Sequence, residues 1–247
     1  MPQYNAYGDN YYINVNLSTE LELPSGRDTL LHFFEQVKKQ YPTMKNFYNR
    51  EKNEAILEED KDQGNYRWVS VEQKRVSTGY VNPPTLETVM EQQSFVLDLI
   101  PYTLSVSPLD CEALNLMFGF DFNYRGNHNQ LIAETLGIVP ALERMIEVPG
   151  ARLIAHDPSI TLALDDNCRT QCRVNIEPRT TAYHIRTGEY PEDHLSVFLT
   201  IRRYGSLDGQ QTYVSVLREL YQIATQLLDN YVVENVLLPL QQAISIK

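Results

Sequence analysis

From Leu114 to Tyr124 every even position is apolar or aromatic (Leu114, Leu116, Phe118, Phe120, Phe122, Tyr124), while Asn115, Asp121, Asn123 and Arg125 fall between them. A period of two marks a half-buried strand, so the stretch Leu109 to His128, close to the midpoint of the chain, reads as its central strand. Gly126-Asn127, a dipeptide that favours positive φ, closes the strand, and a helix-like run opens at Asn129. The same order stands near the start. Ile13, Val15, Leu17, Leu21 and Leu23 alternate with polar residues, meet Pro24-Ser25-Gly26, and lead into a helix through Leu30, Leu31, Phe33, Phe34, Val37 and Tyr41. Asp28 is placed to cap that helix and Pro42 to end it.

Between these openings the patterns are weaker. Residues 1–10 read as a loosely held arm. Phe47-Tyr48 and Ala55 to Leu57 suggest short strands around the turn Glu51 to Asn53, and the acidic run Glu58 to Asn65 an exposed hairpin loop. Tyr66 to Val76 reads as one strand with neither face cleanly apolar, and Gly79 to Pro84 as a break. A helix then runs from Leu86 to Ile100, stopped by Pro101, with a short strand at Tyr102 to Val106. In the second half a helix from Asn129 to Leu136 precedes a short one through Leu142, Met145 and Ile146. Strands follow at Arg152 to Ala155, Ile160 to Leu164, Cys168 to Ile176, Ala182 to Arg186 and Leu195 to Tyr204. The loop Gly205 to Gly209 releases the chain into its longest helix, about Gln211 to Leu238, where Tyr213, Leu217, Leu220, Ala224, Leu227 and Tyr231 form one apolar stripe. Pro239 kinks or ends it.

Two similarly ordered halves, 1–107 and 108–247, predict an α+β fold: mainly antiparallel sheet, helices packed on one face, a pseudo-duplicated layout and a long C-terminal helix. A second apolar band on that helix, Val216, Ile223, Val233, Val236 and Leu237, calls for a second covering surface. Either the helix from Leu86 to Ile100 supplies it, or a second copy does, as a two-fold homodimer.

Composition narrows the partners. Among 247 residues, 32 acidic against 21 basic side chains leave a formal charge of −11, which opposes the phosphate backbone of a nucleic acid. No run approaches the roughly 20 apolar residues of a membrane span, and the first residues lack a leader pattern, so a cytoplasmic protein without membrane contact is expected. Three cysteines make no disulfide framework. Cys168 and Cys172, read on one strand, would stand about 13 Å apart, too far for one zinc ion; buried thiols are expected there.

Three stretches resemble, along the whole chain, an uncharacterised family of bacterial hypothetical proteins. They are Tyr11-Tyr12-Ile13-Asn14-Val15-Asn16-Leu17, Tyr66-Arg67-Trp68-Val69-Ser70 and Phe118-Gly119-Phe120-Asp121-Phe122-Asn123-Tyr124-Arg125-Gly126-Asn127-His128. The resemblance implies a bacterial, cytoplasmic setting and carries no activity. The layout alone is similar to saddle-shaped duplicated domains of the TATA-binding type.

No nucleotide, metal or nucleophile signature occurs, and no metal or cofactor is expected. The densest polar cluster is at the end of the central strand. Asp121, Arg125, Asn127 and His128 could hold a small anionic ligand, helped by the amides that begin the next helix. The same residues also fit a solvated strand face with a turn and a cap. His156-Asp157-Pro158 offers an imidazole beside a carboxylate, or simply a turn. Arg169, Arg173, Arg179, Arg186, Arg202 and Arg203 could make a cationic face for an anion if their strands adjoin, or ordinary solvent-facing charge. The function expected is a binding or protein-interaction module. The alternative is an enzyme acting on a small anionic substrate, with Arg125 holding the anion and His128 as acid or base.

Overall fold

Each strongly alternating strand has one face that must be covered, and the two are placed so that a single layer covers both. In the computed structural model, which describes residues 4–50, 54–207 and 209–247, they are β1 (Asn10–Thr19) and β6 (Cys111–Arg125), paired antiparallel. Tyr11 lies opposite Phe120, Ile13 opposite Phe118, Val15 opposite Leu116, and all six side chains are buried on the same face. Outward from β1 come β5 (Arg75–Val81), β4 (Tyr66–Val71), β3 (Glu54–Glu58) and β2 (Asn46–Arg50). Outward from β6 come β9 (Glu192–Tyr204), β8 (Thr170–Glu177) and β7 (Ser159–Ala163). Both halves therefore lay their first strand at the centre of a nine-stranded antiparallel sheet, jump to an edge, and return inward strand by strand. The fold is α+β with one winding used twice.

The helices cover the face that carries Ile13, Leu116, Phe118, Val197 and Leu199, all without exposed surface. α2 (Leu86–Thr103) lies between α1 (Arg27–Gln40) and α6 (Tyr213–Leu227). Polar bonds pin this layer to the sheet. Tyr221 donates to Gln93 Oε1 at 2.5 Å, and Gln93 Nε2 donates to the carbonyl of Ile13 at 3.2 Å, so a fully buried amide satisfies a strand and two helices at once. α6 continues as a wide π-helical stretch, Leu228–Leu237, and then as α7 (Leu238–Ile246), which packs on α3 (His128–Leu136). Pro239 neither ends nor breaks this rod. The widened turns just before it alter the carbonyl positions with which a proline ring would clash in a regular α-helix.

The same widening moves Tyr231 off the stripe. It is 61% exposed, while Leu228, Val232 and Leu237 are buried. Most of the two bands is covered by the sheet and by α2, with Ile223, Leu227 and Val236 partly buried.

Several local expectations are corrected. The single strand Tyr66 to Val76 is a hairpin of β4 and β5, turned by Glu72-Gln73-Lys74, and Gly79 sits inside β5 rather than in a break. A Cβ at Gly79 would stand 2.1 Å from Asn14 Oδ1 and 2.5 Å from Trp68 Nε1, so a residue that reads as a breaker is there for room. Pro101 lies within α2, which runs on to Thr103, so Tyr102 to Val106 forms no strand. Gly26 occupies the N-cap of α1, leaving Asp28 in its first turn. Ala182 to Arg186 belongs to a short helix, α5 (Ala182–Thr187), because Thr181 and His184 form a reciprocal capping box. Arg152 to Ala155 is irregular, and the short helix before it is α4 (Pro140–Glu143) with a 3-10 turn. Cys168 is exposed at φ 57° outside β8, and only Cys172 of that pair is buried. Leu21, beyond the end of β1, is 70% exposed. The arm is held: the Tyr4 hydroxyl bonds Asp229 at 2.8 Å and the Asp9 carboxylate accepts from the Asn123 amide at 2.6 Å. The turn Glu51 to Asn53, residues 1–3 and Asp208 lie outside the described residues. Among the described residues no helix is long and apolar enough to cross a membrane.

Candidate functional site

The four residues at the end of β6 occupy different surroundings. Asp121 is on the uncovered face of the sheet, where its Oδ1 accepts from Ser196 Oγ at 2.6 Å and from the Tyr12 hydroxyl at 3.3 Å. Burial, and after it the Asp121 carboxylate, raises the Tyr12 pKa and keeps its phenol protonated. The Tyr12 ring can lie across the sheet because residue 119 is glycine, whose Cβ would meet that ring at 2.3 Å. Arg125, at the strand end, borders a shallow surface hollow with Tyr183 and His184. Asn127, at φ −79°, is the N-cap of α3: its Oδ1 accepts from the amides of Asn129 and Gln130 at 3.1 and 3.3 Å.

His128 is buried on the helix side with both ring nitrogens engaged. Nδ1 accepts from the Arg179 amide at 3.1 Å, which leaves the proton on Nε2, facing the Tyr124 carbonyl at 3.1 Å. Its backbone amide also donates to Thr180 Oγ1 at 2.9 Å. Burial lowers the imidazole pKa, outweighing the bond to the Tyr124 carbonyl, and the ring fastens the 178–181 turn to the start of α3. In this arrangement it offers no free nitrogen to a substrate. His156 likewise spends its ring on the carbonyl of Gly137 at 3.1 Å.

A more coherent group lies on the uncovered face over β6, β9, β8 and β7. In β9 and β8 the odd residues Val197, Leu199 and Ile201, with Cys172 and Ile176, turn inward, so Phe198, Thr200, Arg202, Gln171, Arg173 and Asn175 turn out. With Met117, Thr161, Tyr204 and the Glu177 carboxylate they line a depression of about 370 Å³. Arg202 is held in place, Nε donating to Asn115 Oδ1 at 2.5 Å and a terminal nitrogen to the Tyr204 hydroxyl at 2.6 Å. Arg173 Nε donates to Ser159 Oγ at 3.1 Å. Opposite residues in the ladder are Arg173 with Thr200 and Gln171 with Arg202, so the two arginines are diagonal neighbours, about 7–8 Å apart at the backbone.

Neither guanidinium forms an ion pair among the described residues. Of the other four arginines of these C-terminal segments, Arg179 pairs with Glu177 at 3.5 Å and Arg203 with Asp165 at 3.7 Å, whereas Arg169 binds the carbonyls of Tyr204 and Ser206 and Arg186 lies 5.5 Å from the Tyr183 ring. The six arginines thus make no single cationic face. Their inward or outward phase was readable from the alternation of β8 and β9; which two become neighbours depends on a strand register the sequence does not display.

Among the described residues no three His, Cys, Asp or Glu side chains converge to hold a metal ion. No family model matches the chain, and no curated protein matches it.

Proposed function

We propose that the protein is a binding module that takes a small anionic ligand on the uncovered face of its sheet, between Arg173 and Arg202. The observation that carries this reading is a depression on the uncovered face lined by two arginines of adjacent strands that form no ion pair among the described residues, in a chain with a formal charge of −11. Arg202, held by Asn115 and Tyr204, and Arg173, held by Ser159, present planar guanidinium groups suited to a carboxylate or phosphate. Phe198 and Met117 offer apolar contact to the body of the ligand, and Gln171 and Asn175, whose amides donate to the Cys168 carbonyl and the Glu177 carboxylate, lie at its margin. A catalytic reading at Asp121, Arg125 and His128 has less support, because the His128 ring is committed to two backbone groups.

The test is a thermal-shift screen of small carboxylates and phosphates, repeated on an Arg173→Gln/Arg202→Gln double variant. A ligand at 100 times its dissociation constant stabilises by about 2.7 kcal/mol. Hits that shift the wild type and leave the double variant unmoved are expected. Hits that shift both equally, or a panel in which only cations act, would refute the proposal.

A further inference from the structure

The two edges of the sheet are unlike. At the β2 edge, charged Lys45 and Arg50 flank or end the strand, and Phe47 is backed by Phe34 of α1, their rings 5.2 Å apart. At the β7 edge the sequence Ser159-Ile160-Thr161-Leu162-Ala163 has no charge, no proline and no bulge, and all five residues are exposed. Those are the devices by which edge strands normally avoid pairing with other chains. Ile160 and Leu162, on the helix-bearing side, are 56% and 48% exposed.

The hydrogen-bond phase of β7 shows which groups are available. The Ile176 amide donates to the carbonyl of Pro158 at 3.0 Å and the Leu164 amide to that of Thr170 at 2.8 Å, so even-numbered residues bond to β8. The amides and carbonyls of Ser159, Thr161 and Ala163 therefore point out of the sheet. The side chains are arranged symmetrically about Thr161. Pro158, Ile160, Leu162 and Leu164 form an apolar row on one side; Ser159, Thr161 and Ala163 form a small, neutral row on the other.

We infer that two copies of the chain join β7 to β7, antiparallel, about a two-fold axis through Thr161. That register uses all three outward residues. Thr161 exchanges two hydrogen bonds with the partner's Thr161, and Ser159 and Ala163 exchange two each with the partner's Ala163 and Ser159. Ile160 then meets the partner's Leu162 and Pro158 meets the partner's Leu164, apolar against apolar at every position. A foreign strand could use the same edge, but the match of this strand to its own reversal favours a second copy. The nearest apposed charges, Asp157 and the partner's Asp165, lie beyond the paired segment, and Asp165 already has Arg203. A five-residue contact falls short of the roughly 1,200 Å² of a standard interface, so the dimer dissociates on dilution. Because Thr161 lines the depression, the partner strand extends the same open face.

Sedimentation equilibrium on the full chain, from micromolar to submillimolar, reads the association directly. Thr161→Pro removes one outward amide on the axis and leaves the bonds to β8 intact, a substitution that an edge strand tolerates. In a Cys168→Ser background, Thr161→Cys places two thiols across the axis, at a Cα spacing of about 5.5 Å suited to a disulfide. Expected are a reversible wild-type dimer, a folded Thr161→Pro monomer, and a Thr161→Cys dimer on non-reducing gels that Cys168→Ser alone does not give. If Thr161→Pro does not fold, the cross-link decides. A monomer at every concentration overturns the inference, as does a dimer that Thr161→Pro leaves intact, a Thr161→Cys variant that fails to cross-link, or an open-ended polymer.

Discussion

Phe118 and Phe198 lie on adjacent strands at the centre of the sheet and point to opposite faces, which makes them a paired test of which face is the core. Phe118 has no exposed surface and packs edge-on against Tyr4 and Tyr221, at centroid separations of 6.0 and 5.9 Å, with Tyr11 at 6.3 Å. Truncating it removes a fully buried ring from between two layers, and Phe118→Ala should cost roughly 3 to 5 kcal/mol. The upper half of that range is expected here, because Tyr4, Tyr11 and Tyr221 belong to three different elements and cannot all close on the cavity. At roughly 2 to 4 °C per kcal/mol for a chain this size, a loss of about 4 kcal/mol lowers the melting temperature by about 8 to 16 °C. Phe198 is half-buried, has one ring neighbour, Tyr12 at 6.3 Å, and faces no helix. Phe198→Ala should cost about 1 kcal/mol. Urea unfolding followed by far-UV circular dichroism measures both. Equal costs would mean that the outer face is covered in solution, and a larger cost at Phe198 would invert the core.

Three further outcomes are expected. Burial lowers the His128 pKa, so as pH falls the unfolded chain takes its proton first; the stability this group contributes is complete above the ordinary imidazole value, about 6.5, and is lost as pH falls toward the lowered folded value. Urea midpoints across pH should show that acid-side slope shrinking in His128→Gln, and an unchanged slope would remove His128 from the account. Gly79→Ala should destabilise by about 1 to 3 kcal/mol and shift the emission of Trp68, the sole tryptophan, because the new methyl meets its indole; an unshifted spectrum would show that the ring does not sit there. Tyr231→Ala should change stability by no more than about 0.5 kcal/mol while Leu228→Ala costs about 2 to 5, and the reverse order would restore the regular α-helical stripe.

The architecture was legible wherever alternation was long. β1, β6 and β9 each run ten residues or more, enough for a period of two to stand out, and their alternating apolar positions are those that the helices cover, with Met117 and Phe198 on the other face. Elements failed where two signals competed. Gly79 carries a breaker's identity inside a strand because a neighbouring indole occupies its space, and the turn between β4 and β5 contains neither glycine nor proline, so one long strand was read where there are two. Pro101 reads as a stop and Pro239 as a kink or a stop, yet each lies within a continuous rod held by packing along its length. Local propensity is the weaker term once a helix has a sheet beneath it.

The polar cluster at the end of β6 was visible because its residues are close in sequence, and closeness in sequence misjudged the chemistry. Within eight positions the chain passes from the uncovered face at Asp121, through a cap at Asn127, to a buried imidazole at His128, so neighbours along the chain have different solvents. Arg173 and Arg202 are 29 positions apart and meet only through the register of β8 on β9. In the first half the edge strand is backed by α1, whose Phe34 ring meets Phe47 of β2. In the second, the short α3 and α4 leave Ile160 and Leu162 uncovered at the edge. One winding used twice would give two equivalent halves. The half with less helical cover is the one whose edge strand lacks guards, and on the opposite, open face of that same half stand Arg173 and Arg202.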